Sequence, residues 1–291
     1  MNFKEVLLIV NPISGDIDKQ RIINKVKEEV QRRNADFHLY RTTGENDIEK
    51  IRKFLDVHEI GRVLVAGGDG TINLVAETIR KYDLPMGIIP AGSANGLALN
   101  LELPDELNQQ VKIAMGDNFI NYDILSLNDT ICLHMSDLGI NAELIKNYEN
   151  SNFRGKLGYL IQSIPTLIKS GYPFEFEIQS KGEDREAQAA LLGIANANKY
   201  GTGANVNPIG RPDDGLFEIL IFKRISLGEV LKTLRNETNL DPEFLEIIQT
   251  KSAKVICKKP VSFQIDGEYI GEETEIKISI LPEKLKIAVP A

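Results

Sequence analysis

The 291-residue chain has no tryptophan, two cysteines and three histidines. Two thiols, Cys132 and Cys257, can build neither a disulfide framework nor, by themselves, a zinc site. Neither has a CxxC partner, and their apolar surroundings fit core thiols in a reducing compartment. No run of 18 apolar residues occurs, so no membrane-spanning helix is expected. The first residues hold only a five-residue apolar run, residues 6–10, behind Glu5. A secretory h-region needs about 7–15 apolar residues after a positive n-region, so no signal peptide is read and the expected location is the cytoplasm. Positive charge is also in deficit. The 34 Lys and Arg against 42 Asp and Glu leave a net charge of −8, which argues against nucleic acid as a partner, because that affinity rests on neutralising phosphates.

What is present is ordinary for a globular protein: 42% apolar and 26% charged residues. At roughly 150 residues per domain the length suggests two domains. Residues 4–10 (KEVLLIV), 36–41 (DFHLYR), 62–66 (RVLVA) and 86–89 read as strands. Between them, residues 18–34, 46–57 and 71–82 carry apolar side chains at helical spacing. Their expected buried stripes are Ile22, Ile23, Val26 and Val30, then Ile48, Ile51, Phe54 and Leu55, then Leu74, Val75, Thr78 and Ile79. This alternation implies an α/β domain with a parallel sheet over residues 1–120. Beyond it, short and often alternating runs at 122–127, 130–136, 174–179, 189–195, 216–222, 253–257, 261–265 and 275–280 predict a mainly antiparallel β domain over residues 121–291. Helices are expected at 157–169 and 227–238, with a short one after Asp241-Pro242. Residues 285–289 either return to the first domain or close the second. No flexible linker is visible, so the domains are expected to pack closely around a cleft.

In an open parallel sheet, ligands gather outside the carboxyl ends of the strands. Three expected strands end in unusual loops. They are Asn11-Pro12-Ile13-Ser14-Gly15, Gly67-Gly68-Asp69-Gly70-Thr71 and Pro90-Ala91-Gly92-Ser93-Ala94-Asn95-Gly96. Glycines let backbone N–H groups approach an anion closely, and a following helix N-terminus adds favourable potential. One such loop is ordinary turn chemistry; three at one sheet edge make a polyphosphate cradle. None is a Walker A or a GxGxxG motif, and Gly201-Thr202-Gly203 is isolated in a loop and has no dinucleotide role. A phosphate repels Asp69 among these glycines unless Mg2+ or a substrate proton intervenes. The same carboxylate can instead cap a helix. Asp266-Gly267-Glu268, behind the strand at 261–265, puts two carboxylates at a strand end, although Asp-Gly also builds plain hairpin turns. His38, His58 and His134 show no catalytic spacing, and His38 and His134 sit in strand patterns as structural residues.

With these residues the chain resembles the diacylglycerol kinase catalytic-domain family, which includes bacterial lipid kinases and the sphingosine and ceramide kinases. NPISG (11–15), GGDGT (67–71) and PAGSANGLA (90–98) occur in the family's order and spacing. GINAE (139–143), GKLGY (155–159), DDGLFE (213–218) and DGE (266–268) match as well, so the resemblance covers essentially the whole chain. GGDGT alone also occurs in NAD kinases; the ordered set is the specific signal. The resemblance implies an N-terminal α/β nucleotide domain, a C-terminal antiparallel β-sandwich and an active site between them. It implies transfer of the ATP γ-phosphoryl group to a lipid hydroxyl, with Mg2+. Carried over by position, ATP would meet Asn11, Pro12, Ser14, Gly15, Thr42 or Thr43, Gly67, Gly68, Asp69, Gly70, Thr71, Asn73, Ser93 and Asn95. Asp69 would also act in catalysis, and Asp266 or Glu268, which the sequence does not separate, would be the base. The Mg2+ site would comprise the Asp214 carboxylate and the main-chain oxygens of Arg211 and Leu216. Glu143 aligns with the acidic residue that meets a sphingoid amino group in the sphingosine kinases, and Arg154 and Lys156 could face anionic headgroups or phosphate. The partner implied is a lipid alcohol, reached by transient peripheral contact with a membrane surface; a homodimer stays open.

Three positions depart from the family pattern. Asp16 stands where many bacterial members carry a basic residue, Leu74 where Glu is common, and Gly96 where bacterial diacylglycerol kinases usually have Asp. GSANGLA is nearer to the sphingosine kinases. The alternatives are an NAD kinase-like enzyme and a lipid- or nucleotide-binding regulator that has lost catalysis. The third loop speaks against the first, and the retained acids Asp69, Asp266 and Glu268 against the second.

Overall fold

The computed structural model describes residues 4–93, 95–142, 173–180, 183–200 and 203–291. The chain divides into two compact units. One holds the residues up to Asp123 together with Pro282–Ala291, the other Ile124–Leu281.

In the first unit β1 (Glu5–Val10), α1 (Lys19–Arg32), β2 (Asp36–Arg41), α2 (Asp47–Val57), β3 (Ile60–Gly67), α3 (Asp69–Ile79) and β4 (Met86–Pro90) alternate. The strands pair in parallel in the order β4-β3-β1-β2. Five consecutive residues of β1 are buried, as expected of a strand covered on both faces. α1 buries its expected stripe of Ile22, Ile23, Val26 and Val30. Asp18 caps it by accepting from the Gln20 amide at 2.8 Å. α3 starts at Asp69 instead of Thr71. Its buried face includes Thr71, Ile72, Val75, Ala76, Thr78 and Ile79 and leaves Leu74 half-buried. Two further helices, α4 (Gly96–Asn100) and α5 (Leu107–Ala114), are too short for periodicity to announce them.

The sequence also hides what holds α5. Arg62 on β3 is fully buried. Its Nη1 donates to the carbonyls of Ala114 (2.9 Å) and Gly116 (2.6 Å), and its Nη2 pairs with Asp117 at 3.2 Å. A buried cation of this kind is tolerated only because these acceptors replace its water.

The second unit begins within β5 (Phe119–Leu127) and continues through β6 (Thr130–Cys132), β7 (Met135–Gly139), β8 (Phe174–Ser180), β9 (Glu183–Ala189), β10 (Leu191–Ala195), β11 (Lys199–Tyr200) and β12 (Ala204–Asn205). Then follow β13 (Phe217–Phe222), α6 (Leu227–Leu234), β14 (Leu245–Thr250), β15 (Ser252–Ile265) and β16 (Glu268–Ala288). Antiparallel pairing runs β14-β13-β10-β7-β15-β16, and β8 pairs with both β15 and β9. The fold is thus an α/β unit with a parallel sheet and an antiparallel, sandwich-like β unit. The core of the latter includes Leu125, Phe176, Ile194, Phe217, Phe263 and Ile278. The last part of β16 lies in the first unit, where Ile287 pairs in parallel with Met86 of β4.

Several expected boundaries move, each for a physical reason. The run 130–136 is two strands, because the amides of Leu133, His134 and Met135 turn to the Asp266 carboxylate. The runs 253–257 and 261–265 form one strand whose register shifts between Ile256 and Val261, around Pro260, which has no N–H to donate. α6 stops at Leu234 instead of reaching residue 238. Asn236 adopts a left-handed φ of 58° and the Glu237 amide returns to the Lys232 carbonyl at 3.0 Å, a helix stop. After Asp241-Pro242 there is one turn and no helix; the Phe244 amide donates to the Asp241 carbonyl at 2.8 Å and β14 follows. β9 is polar (EDREAQA) and gave no strand signal. The helix expected at 157–169 lies outside the described residues. Among the described residues no helix is long and apolar enough to cross a membrane.

Candidate active site

β1, β3 and β4 are neighbours in the parallel sheet, so their three loops leave its carboxyl edge side by side. The loops are packed backbone on backbone. A Cβ on Gly92 would lie 2.4 Å from the Gly68 Cα, and one on Gly15, whose φ is +51°, would lie 2.7 Å from the Ala91 carbonyl oxygen. Only glycine allows both approaches. Side chains then tie the loops. Asn11 Nδ2 donates to Thr71 Oγ1 at 3.1 Å, and Asn11 Oδ1 accepts from the Ile13 amide at 3.1 Å. Ser14 Oγ donates to the carbonyls of Asn11 and Ala91, at 3.1 and 3.3 Å. Asn95, at a left-handed φ of 54°, accepts from the Gly92 amide at 2.8 Å and donates to its carbonyl at 3.0 Å. Pro12, Gly70 and Ser93 are exposed, Asn73 is half-buried, and Lys19, the lysine nearest the first loop, donates to the carbonyls of Ser14 and Ile17.

Asp69 is half-buried, and it caps a helix other than its own. Its carboxylate accepts from the amides of Gly96 (2.8 Å) and Leu97 (3.0 Å) at the start of α4. The charge in the second loop is therefore held by donors of the third. At the start of α3 the amides of Thr71 and Ile72 return to the Gly68 carbonyl, both at 3.0 Å. Helix geometry leaves the amides of Asp69 and Gly70 without a partner in the helix, on the side where an anion is favoured.

Beside this edge, the Thr42 amide donates to the Val10 carbonyl at 2.9 Å. Thr43 is engaged by Asp47, a buried residue that sequence reasoning missed. Asp47 accepts from the amides of Thr43 (3.0 Å) and Gly44 (2.8 Å), from the Thr43 hydroxyl (3.1 Å) and from Tyr40 Oη (2.6 Å). Burial pushes the Asp47 carboxyl up, but these hydrogen bonds outweigh it and hold it below its ordinary value. Burial, then the Asp47 hydrogen bond, pushes the Tyr40 phenol well above its own.

In the second unit, Asp266 and Gly267 have φ of 48° and 90°, the two left-handed residues of a tight hairpin turn between β15 and β16. The Asp266 carboxylate is fully engaged. It accepts from the amides of Leu133 (2.8 Å), His134 (2.8 Å) and Met135 (3.0 Å) and from the Cys132 thiol at 3.5 Å. Burial, then the Asp266 charge, pushes the Cys132 thiol well above its ordinary value, which keeps it a donor. Glu268, two residues on, opens β16 and is exposed. The two acids that the sequence leaves equivalent are therefore different in kind.

Asp214 is exposed, and its Oδ1 accepts from the Leu216 amide at 2.9 Å. The Arg211 guanidinium is drawn to Asp213 at 3.3 Å and does not compete for Asp214. One carboxylate with the main-chain oxygens of Arg211 and Leu216 is a set of hard donors that suits Mg2+, which keeps several waters. Next to this turn, Glu218 is 1% exposed and accepts from Asn207 Nδ2 (2.6 Å) and Gln249 Nε2 (2.8 Å). Burial raises the Glu218 carboxyl above its ordinary value despite these two bonds. Glu143, Arg154 and Lys156 lie outside the described residues, as does the whole of GKLGY (155–159).

These features define a class before any relative is considered: a parallel α/β unit with three glycine loops at one edge, followed by an antiparallel β unit. Solved structures share it. A diacylglycerol kinase from Bacillus anthracis aligns over 100% of this chain and 98% of its own, with a TM-score of 0.78 at 18% identity. An NAD kinase from Archaeoglobus fulgidus, solved with ATP, covers 98% of this chain and 93% of its own with a TM-score of 0.57 at 12% identity. At such identities the likeness is one of fold. Residues 5–127 match the diacylglycerol kinase catalytic domain, and residues 136–289 match the YegS C-terminal NAD kinase beta sandwich-like domain. The chain belongs to the diacylglycerol kinase catalytic-domain family, with the YegS-type C-terminal domain. Its relatives include the "Probable lipid kinase YegS-like" of Chromohalobacter salexigens, 27% identical over 97% of this chain and 96% of the relative. The "Probable lipid kinase YegS" of Escherichia coli is 27% identical over 99% of this chain and 97% of its own.

Proposed function

We propose that the protein is an ATP- and Mg2+-dependent lipid kinase that transfers the γ-phosphoryl group to the hydroxyl of a lipid such as diacylglycerol or a sphingoid base, from the cytoplasmic face of a membrane. The observation that carries this reading is the interlocked set of loops 11–15, 67–71 and 90–96, with the Asp69 charge already satisfied by the third loop. Two amide donors turn this carboxylate toward the third loop and lessen its repulsion of a phosphate chain in the same loop. The backbone amides of Asp69 and Gly70 at the head of α3 take the triphosphate. Gly15, Gly68 and Gly92 keep side chains out of its way, and Asn11, Ser14, Thr71 and Asn95 fix the loop shape before ATP arrives. Thr42, Gly67, Asn73, Pro12 and Ser93 complete the nucleotide contacts.

Glu268 is the base in this reading and Asp266 a positioning residue. The lipid hydroxyl oxygen bonds to the γ-phosphorus as the bond to the β,γ-bridging oxygen breaks. ADP leaves, and the hydroxyl proton passes to the Glu268 carboxylate. A lipid alcohol is a weak nucleophile at neutral pH, so a placed carboxylate contributes on the order of 10²–10⁴ in rate. Asp214, with the main-chain oxygens of Arg211 and Leu216, would hold Mg2+, whose chemistry there is neutralisation of phosphate charge. Glu143 is the candidate contact for a cationic sphingoid headgroup.

The test is incubation of the purified protein with γ-labelled ATP, Mg2+ and a mixed lipid extract, with NAD as a parallel acceptor. A labelled lipid is expected, and its headgroup names the substrate class. Label in NADP would move the protein to nucleotide phosphorylation. ATP binding with no labelled acceptor would favour a regulator or an acceptor absent from the extract.

A further inference from the structure

Two of the three histidines meet at one carboxylate. Glu5 is the first residue of β1, and His38 lies on β2 opposite Leu7. Residues 5 and 7 of a strand face the same side, so the parallel register itself puts Glu5 and His38 on one face of the sheet. His58, immediately after α2, is in extended conformation at φ −121°. Its Nδ1 lies 3.4 Å from Glu5 Oε2, the same oxygen that His38 Nε2 approaches to 2.9 Å. One ligand atom from each of the three residues lies within 4.8 Å of the other two. The rings are fixed by Phe54 of α2, stacked on His58 at 4.1 Å between centroids and edge-on to His38 at 5.3 Å. The glycine loops leave the carboxyl ends of the strands, whereas this cluster gathers around the residue that opens β1.

We propose that Glu5, His38 and His58 form a binding site for a divalent transition-metal ion of the zinc type. Bonds of about 2.0–2.2 Å in a tetrahedral site put neighbouring ligand atoms roughly 3.3 Å apart. Two of the three separations, 2.9 and 3.4 Å, already bracket that value, and the third is within 4.8 Å. Two imidazoles with one carboxylate select zinc, nickel, cobalt or copper over magnesium and calcium, which take oxygen donors. The three side chains are 21–34% exposed, so an ion can enter and keep water as its fourth ligand. Bound, it ties β1, β2 and the end of α2 together.

The experiment is titration of the tag-free protein with Co2+, read by visible absorption, and equilibrium dialysis with Zn2+ in the presence of millimolar Mg2+. One equivalent of Zn2+ is expected, together with a tetrahedral Co2+ spectrum and a Zn2+-dependent rise in Tm. His38→Asn and His58→Asn, each checked for folding by circular dichroism, are expected to weaken binding at least tenfold, and His134→Asn to leave it unchanged. Zero equivalents, displacement by Mg2+, or one equivalent that persists in both His38→Asn and His58→Asn would overturn the assignment. In that case the cluster is a set of polar contacts around Glu5 and holds no metal.

Discussion

The two units use an aspartate in the same way at different depth. In the first, Asp69 stands in a glycine loop and accepts two amides from residues 27 and 28 positions away. In the second, Asp266 stands in a hairpin turn and accepts three amides and a thiol from residues 131–134 positions away. Each has the look of a catalytic acid in sequence, and each is an anchor that shapes a loop. The difference is in what stands beside it. Asp69 has amides at the head of α3 next to it, where an anion can sit. Asp266 has Glu268 two residues on, exposed at the start of β16. In both units, therefore, the acid that anchors the loop and the group proposed to meet substrate are neighbours and not the same residue.

The sharpest way to break this comparison is Asp266→Ala. Three amides lose their acceptor at once, and a buried donor left unsatisfied costs about 1–3 kcal/mol. A loss of about 3 kcal/mol or more is expected in urea unfolding, with β6 and β7 the first amides to exchange hydrogen. An unfolding midpoint equal to that of the parent would show that the carboxylate anchors nothing. Asp69→Ala should lose less stability, about 1–2 kcal/mol as for a helix cap, but nearly all phosphoryl transfer. Asp69→Asn is the discriminating partner, because its single carbonyl oxygen keeps one of the two amide bonds while the charge is removed. If Asn restores both stability and turnover, Asp69 acts through loop shape; if it restores stability alone, its charge takes part in the reaction.

Glu268→Gln sharpens the other side. The residue is exposed, so stability should stay within about 0.5 kcal/mol while kcat falls at least 100-fold and the apparent affinity for ATP holds. Equal losses in kcat and ATP affinity would make Glu268 a binding group and return Asp266 to candidacy as the base.

How much of this was legible in the sequence follows the range of each interaction. β1 and β3 were readable because buried parallel strands are continuous apolar runs, and α1 because its stripe obeys a period of four. The three loops were readable because glycine, asparagine and proline mark them locally, and parallel βαβ order sends all three to one edge. What could not be read was partnership across sequence. Nothing near Asp69 says that its acceptor oxygens serve α4, nothing near residue 133 says that a carboxylate 133 positions later splits the strand, and Arg62 reads as a strand end. β9 was missed because four charged residues open it and its apolar residues are two alanines. The Glu5, His38 and His58 cluster was missed for the same reason as the anchors, since pairing register and not spacing brings it together.

The smallest expected effect separates an anchoring acid from a merely buried one. Glu218 accepts from two amide side chains, and burial still raises its pKa, unlike Asp47, whose donors prevail over burial. A carboxyl with a raised folded pKa holds its proton in the folded chain at pH values where the unfolded chain has released it. Folding then binds protons, and stability falls as pH rises. The window opens near the ordinary value of 4.5 and closes above the raised one. Glu218→Gln removes the titration and keeps an amide that Asn207 and Gln249 can bond after rotation. The difference in Tm, variant minus parent, should therefore rise as pH climbs past 4.5 and level off above the raised value. Asp47→Asn should show the reverse. It removes a group whose contribution is present above the unfolded value and lost on acidification, so its deficit should shrink as pH falls toward 3. Parallel pH profiles for the two variants would mean that donors and burial do not set the two carboxyls apart.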